Sequence, residues 1–341
     1  MTWKQKRNQK QETTNMITMT EIARLTGVSQ PTVSRVLNGN TSVNPEVREK
    51  VLACAREHHF QPNAMARSLV GSGTKLIGVV LTDISNSFFA DLEKYMEQAA
   101  REKGYSLILF NSDYDREKEK HCLEVMRRYR VDGLIIVPVL EQDPKFRAEI
   151  KELDIPAVSI TRQTEHMDCV YIDHAAAGAR VAEHLRHIGC ENYLFVGTTG
   201  DRKYQGFAEK MKESDPDFEQ KLTVIETKDS GKIRSILQTH FREHPGKCGI
   251  FAYNDRRAVQ LHGILQRLGI SMPDQAALVG FDNTYTCEYL YPGLSSVSQP
   301  NREMATRAVD ILIQKIEQPE NQECFDNPMQ AELVIRESSE R

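Results

Sequence analysis

The chain has 341 residues, 40 % hydrophobic and 27 % charged, a balance typical of folded globular proteins and long enough for two or three domains with real cores. Its net charge of −4 hides an asymmetry: residues 1–70 carry ten Lys and Arg against five acids, and the remainder carries 34 against 43, so a basic end sits on an acidic body. No apolar run is long enough for a membrane helix. The first 17 residues, MTWKQKRNQKQETTNMI, lack the apolar centre of a secretion signal, and we read them as a basic, disordered extension of a cytoplasmic protein. The seven cysteines form no CxxC pair, so neither a zinc site nor a disulfide is expected.

Residues 18–61 read as a small all-α unit of three short helices. The first is expected to open at Thr20 and end at Gly27; the second is capped by Ser29 and runs to about Asn38. The third has Asn44 as cap, Pro45 at its first position and Val47, Val51 and Ala55 on one face, with Pro62 ending it. Ile22, Ala23, Val28, Val33 and Val36 can close on one another if the first two helices cross steeply, and Gly27 permits the sharp turn. The second helix, SQPTVSRVLN, turns Ser29, Gln30, Thr32, Ser34, Arg35 and Asn38 away from its apolar face. A helix read by the major groove needs few apolar residues and many donors, whereas a plain three-helix cap on an enzyme would show the same spacing.

From Lys75 onward short apolar runs alternate with amphipathic helices. LIGVVL, YSLILF, GLIIVP, PAVSI and VYI come first, and the rhythm restarts with NYLFV, LTVIE, GIFAY and ALVGF. Buried parallel strands joined by helical crossovers explain this pattern, and nine of them imply two doubly wound parallel-sheet lobes. The late segments LSSVSQ and ELVIRES would add short strands. We expect one lobe from about residues 75–173 plus 287–302, and the other from 174–286 plus 303–341. No GxSxG, HExxH, P-loop or GxGxxG occurs, so catalytic residues, a cofactor and a resident metal are not expected. The pairs His58/His59 and His184/His187 lack further nearby ligands.

The stretch MTEIARLTGVSQPTVSRVLNGNTSVNPEVREKVLACAREHHFQPNAMARSLVGSGTKLIGVV resembles the start of the lactose and galactose repressor (LacI/GalR) family. The likeness continues through DISNSFFADL, DGLIIVP, YNDRRAV, LVGFDN, LSSVSQP and LVIRES, covering residues 18–338. It implies a dimeric transcription regulator with a helix-turn-helix head, a hinge (residues 62–74) and a two-lobe effector domain of periplasmic-binding-protein type. Ser29, Gln30, Thr32, Ser34, Arg35 and Asn38 then match major-groove positions, Thr20 joins the DNA contacts, and Pro31 stands at a specificity position that is more often polar. NAMARSLV matches a hinge helix in which Asn63, Ala66 and Arg67 meet the minor groove and Leu69 wedges into a base step. The resemblance also implies an effector crevice lined by Phe88, Phe89, Asn254, Asp255, Asp282 and Gln299; from the residues alone, the two Phe suit interlobe core and Asp282 a helix cap equally well.

Two departures bear on the ligand. GTTGDRKYQGF is shorter than the loop of most sugar-binding members and places Lys203, beside Arg202, where they carry Arg. IETKDSG also lacks their aromatic platform. The expected effector is a sugar, a sugar acid or a sugar phosphate, the charged forms held by Arg202 or Lys203. Control by a protein partner, or a solute-receptor role, are the alternatives.

Overall fold

In a computed structural model, residues 17–37, 39–40, 42–58, 60, 73–321 and 324–340 are described. The basic extension before residue 17, Asn38 and most of the hinge, including Asn63, Ala66, Arg67 and Leu69, lie outside them. The chain divides into two compact units between Thr74 and Lys75.

The first unit is the three-helix head: α1 (Met19–Thr26), α2 (Gln30–Leu37) and α3 (Pro45–Glu57). Helix α1 opens one residue before the expected Thr20. Thr18 caps it, accepting from Glu21 N at 3.2 Å while the Glu21 carboxylate accepts from Thr18 N at 3.0 Å, a reciprocal box that satisfies two otherwise orphaned donors. Gly27, at φ +70°, ends it in the left-handed conformation, with its N–H on Ala23 O. Pro31 falls in the first turn of α2, where its missing N–H costs nothing. Asn44 Oδ1 accepts from Glu46 N at 2.9 Å and so starts α3. The core is Ile22, Ala23, Val33, Val36, Val51 and Ala55, with Val28, Leu37 and Val47 packed at its margin.

The second unit contains two six-stranded sheets. One holds β1 (Leu76–Leu81), β2 (Ser106–Asn111), β3 (Gly133–Ile136), β4 (Ala157–Ile160), β5 (Asp168–Ile172) and β11 (Asp326–Met329), in the order β11-β5-β4-β3-β1-β2, all parallel. The other holds β6 (Asn192–Val196), β7 (Leu222–Ile225), β8 (Cys248–Ala252), β9 (Ala276–Asp282), β10 (Ser295–Ser298) and β12 (Glu332–Val334), in the order β12-β10-β9-β8-β6-β7. Only β12 runs antiparallel there, against β10. The strand interiors of β1, β3, β6, β8 and β9 are buried on both faces, as parallel strands covered by helices must be.

The lobe boundaries differ from those expected. Residues 295–298 pair with β9 and belong to the second lobe, not the first. The helix Asn301–Glu317 packs on β3, β4 and β5, and its Leu312 and Ile316 fill the space left by Gly133, so it belongs to the first lobe. The chain then adds β11 to the first sheet and β12 to the second, so residues 303–341 are shared between lobes. It therefore passes between the lobes three times: after β5, after β10, and between β11 and β12.

Helices α4 (Ser87–Glu102), α5 (Arg116–Tyr129) and α6 (Pro144–Leu153) complete the first lobe. In the second lie α7 (His174–His187), α8 (Arg202–Ser214), α9 (Phe218–Lys221), α10 (Ser230–Glu243), α11 (Asp255–Leu268) and α12 (Thr286–Tyr289), which makes the Asn301–Glu317 helix α13. Helices α7 and α8 touch backbone to backbone: a Cβ on Gly178 would lie 2.1 Å from Lys203 O, and one on Gly206 would lie 2.0 Å from Ala175 O. Only glycine fits at either position, and this close crossing draws the first turns of both helices together.

Candidate functional site

Two sites emerge, one in each unit. In the head, Ser29, Gln30, Pro31 and Arg35 are exposed, Thr32 and Ser34 are half-buried, and Val33 and Val36 point inward. Ser29 Oγ and Thr32 Oγ1 lie 2.9 Å apart and share one hydrogen bond, fixing both hydroxyls at the start of the helix. Thr20 is exposed on α1. The head thus presents a short polar face with one arginine at its far end, dimensions that suit insertion into a major groove.

In the body, a cavity of about 180 Å³ lies between the carboxyl ends of the two sets of strands, the place where open α/β sheets bind ligands. It is small beside the pockets of drug-sized ligands. Phe88 and Phe89, from the first turn of α4, line it edge to face, with ring centroids 5.1 Å apart. Arg202, Lys203, Asn254, Asp282 and Gln299 line it too, so seven of the eight expected effector residues converge.

Asp255 does not. It is the first residue of α11, where its side chain turns away from the cleft and packs against Gly280. There it accepts from Ser296 Oγ at 2.5 Å, Thr284 N at 2.6 Å and Cys287 Sγ at 3.1 Å. Its role is to tie α11 to the segment after β9. Its neighbour Asn254 caps α11 by accepting from Arg257 N at 3.0 Å and still borders the cavity.

Asp282 is buried and accepts from Gln299 Nε2 at 2.8 Å. Burial raises its carboxyl to about 7, the Lys203 ammonium opposing the shift. Gln299 Oε1 has no hydrogen-bond partner among the described residues, an acceptor left open where a ligand donor could meet it. Lys203 is not an open cation: it is 9 % exposed, donates from Nζ to Tyr253 O at 3.0 Å, and lies 4.0 Å from the centroid of the Phe281 ring. Arg202 is exposed and donates to Gln163 Oε1 at 3.2 Å.

Several lining residues carry no pattern in the sequence. His174 stacks on Phe281 at 5.8 Å, and desolvation, with Lys203 behind it, lowers its imidazole to about 3, so the ring is neutral. Asp201 caps α8 through Lys203 N at 2.8 Å; although burial raises its carboxyl, Lys203, that backbone bond and His174 bring it below the usual range. Arg162 donates to Glu141 at 2.8 Å. Tyr114 adds an aromatic ring from the loop after β2. The signal that could have found them is position: Tyr114, Arg162 and His174 each follow the end of a strand by three residues or fewer. Tyr114, Thr161 and Asp282 also share an unusual backbone, with φ of +57°, +68° and +106° in non-glycine residues. Such strain gathers where a side chain must be aimed rather than packed.

The comparisons with known proteins agree with this division. Residues 18–63 match the family model described as "Bacterial regulatory proteins, lacI family", and residues 182–339 match "Periplasmic binding protein-like domain". The HTH-type transcriptional regulator DegA of Bacillus subtilis is 33 % identical over 296 residues, covering 84 % of this chain and 88 % of that one. The ribose operon repressor of Halalkalibacterium halodurans is 32 % identical over 95 % of this chain and 97 % of its own. Among solved structures, the periplasmic binding protein/LacI transcriptional regulator of Alkaliphilus metalliredigens, complexed with D-xylulofuranose, superposes with a TM-score of 0.68 at 28 % identity, over 78 % of this chain and 100 % of that one. The lac repressor dimer bound to operator and the anti-inducer ONPF shares the fold at a TM-score of 0.78 and 21 % identity, over 95 % of this chain and 99 % of that one. The chain therefore belongs to the lacI family of bacterial regulatory proteins, DNA-binding transcription regulators rather than enzymes, with a helix-turn-helix head and a periplasmic-binding-protein-like effector body.

Proposed function

We propose that the protein is a cytoplasmic, homodimeric repressor of a carbohydrate-utilisation operon, that it reads a near-palindromic operator through α2, and that a compact, neutral, hydroxyl-rich effector in the cleft controls it. Arg35 and Gln30 are the base-reading side chains, suited to guanine and adenine edges. Asn63, Ala66, Arg67 and Leu69 act in the minor groove, Leu69 as the wedge that bends the duplex. Two heads on one dimer impose two-fold symmetry on the operator. A second copy has a place to dock: Tyr285, Tyr289 and Tyr291 of the second lobe are 66 %, 80 % and 86 % exposed, a cluster of large rings that favours burial in an interface.

The observation that carries the effector reading is that every cation lining the cleft is already engaged: Arg162 by Glu141, Arg202 by Gln163, Lys203 by Tyr253 O. Glu141 already compensates the charge of Arg162, and Lys203 is buried against Tyr253 O and the Phe281 ring, so the interior of the cleft offers little uncompensated charge to a carboxylate or phosphate, whereas hydroxyls can meet Gln299 Oε1, Asp282 and the aromatic faces directly. The names of the relatives, a ribose operon repressor and a regulator holding D-xylulofuranose, point the same way. Selection of operators from random duplex DNA tests the reading, followed by titration of the selected duplex with pentoses, hexoses and their acids and phosphates. Two-fold symmetric sites are expected, with a neutral sugar changing operator affinity about tenfold. Failure to enrich any sequence, or a response confined to phosphates, would overturn it.

A further inference from the structure

One ion pair spans the cleft on the side remote from the crossovers. Arg256, the second residue of α11 in the second lobe, donates Nη1 to Asp83 Oδ2 at 2.8 Å and to Ser85 Oγ at 3.2 Å, both in the first lobe. The acceptor is held before the arginine meets it. Asp83 Oδ1 accepts from Ser85 N at 3.0 Å and Ser85 Oγ at 2.6 Å, and Ile84 N donates to Asn111 Oδ1 at 2.9 Å, so the turn after β1 is fixed by its own lobe.

Position in the sheets gives the pair its leverage. The crossovers leave from β5 and β11 on one side and β10 and β12 on the other, all at or next to the same edge of their sheets. Asp83 follows β1, with β3 and β4 between it and β5; Arg256 follows β8, with β9 between it and β10. Rotation of the lobes about the crossovers stretches a contact at this distance more than contacts close to the axis. Strength matters as well. The Arg256 and Asp83 side chains are 63 % and 22 % exposed, so water and salt compete for the pair, which can break in solution.

We infer that the Arg256–Asp83 pair is a closure latch: it biases the two lobes toward the closed arrangement without any ligand, and so sets how far an effector must move them. The inference rests on the reading of the cleft as the effector site and adds the element that regulates it. Arg256 is a positioning residue here, since it does not line the cavity.

Pulsed electron–electron distance measurements test it on the full chain, with nitroxide-bearing non-natural residues at exposed positions 124 on α5 and 234 on α10 and the labelled chain diluted into unlabelled chain. Arg256→Ala and Asp83→Asn, the latter keeping the turn acceptor, should each raise the ratio of open to closed populations about two- to fivefold at low salt. Arg256→Lys should return it toward wild type. Raising salt to about 1 M should bring wild type to the Arg256→Ala distribution. Identical low-salt distributions for wild type and Arg256→Ala would overturn the latch, as would a salt response in wild type equalled by Arg256→Ala. Failure of the effector reading would look different: pentoses and hexoses would leave the wild-type distribution unmoved, while the response to salt and to Arg256→Ala still decided the latch.

Discussion

The head and the body solve opposite problems. In the head, six buried apolar residues hold three helices while the polar side chains of α2 lie exposed or half-buried on its outer side. In the body, polar side chains converge inward and satisfy one another: Lys203 on a carbonyl, Asp282 on Gln299, Arg162 on Glu141. The head is therefore limited by how little core it has, and the body by how closely its parts must approach. A surface that reads DNA can be built on a marginal core because binding stabilises it, whereas a cleft that must choose a ligand gains affinity when its polar groups are positioned beforehand.

Ile22→Ala should break the comparison most strongly on the side of the head. It removes a fully buried side chain from a six-residue core and should cost about 2–5 kcal/mol, abolishing operator binding while the body keeps its unfolding transition in calorimetry. On the side of the body, Gly206→Ala forces a methyl into Ala175 O and should cost about 3 kcal/mol in urea unfolding of the body, with the head's own unfolding unchanged. Arg35→Ala leaves both folds intact and should weaken binding to the selected operator by about 1–3 kcal/mol, relaxing preference at a single base position in each half-site.

The last effect vanishes at low pH and concerns the cleft carboxyl. An aspartate in an unfolded chain titrates near about 3.9, and burial raises Asp282 to about 7. Its contribution to stability is therefore fully present below about pH 4 and lost as the pH rises through about 7. Asp282→Asn should match wild type near pH 4 and exceed it near pH 8 by roughly 3–4 kcal/mol in urea unfolding, the gap opening between those values. A constant difference across that range would show that the carboxyl is not desolvated.

Much of this architecture was legible as pattern. Nine apolar runs became nine strands, the central ones buried and the edge strands β2 and β7 partly so, and Gly27, Asn44 and Pro45 punctuate the head as their backbone chemistry dictates. Strand β11, DNPM, was not legible: it contains an aspartate and a proline and is a strand only because it pairs with β5. The sharing of residues 287–341 between lobes was missed for the same reason, since pairing partners distant in the chain leave no local mark. In the cleft, Phe88, Phe89, Asp282 and Gln299 were found through family likeness, and His174, Arg162 and Tyr114 were not, because loops after strands have no period. Asp255 was misplaced because adjacency to Asn254 says nothing of the direction in which the first turn of a helix aims its side chains.

The link between β11 and β12 is only two residues long, and each of those strands forms the edge of a different sheet. During synthesis neither sheet can be finished until this late hairpin-like connection has left the ribosome. Premature termination between β10 and β11 would leave β5 and β10 as bare edges in the same molecule, open to pairing with other nascent chains. Completion of the two lobes is thus a single event in time, and a protein able to grip its effector is one whose translation has passed that point.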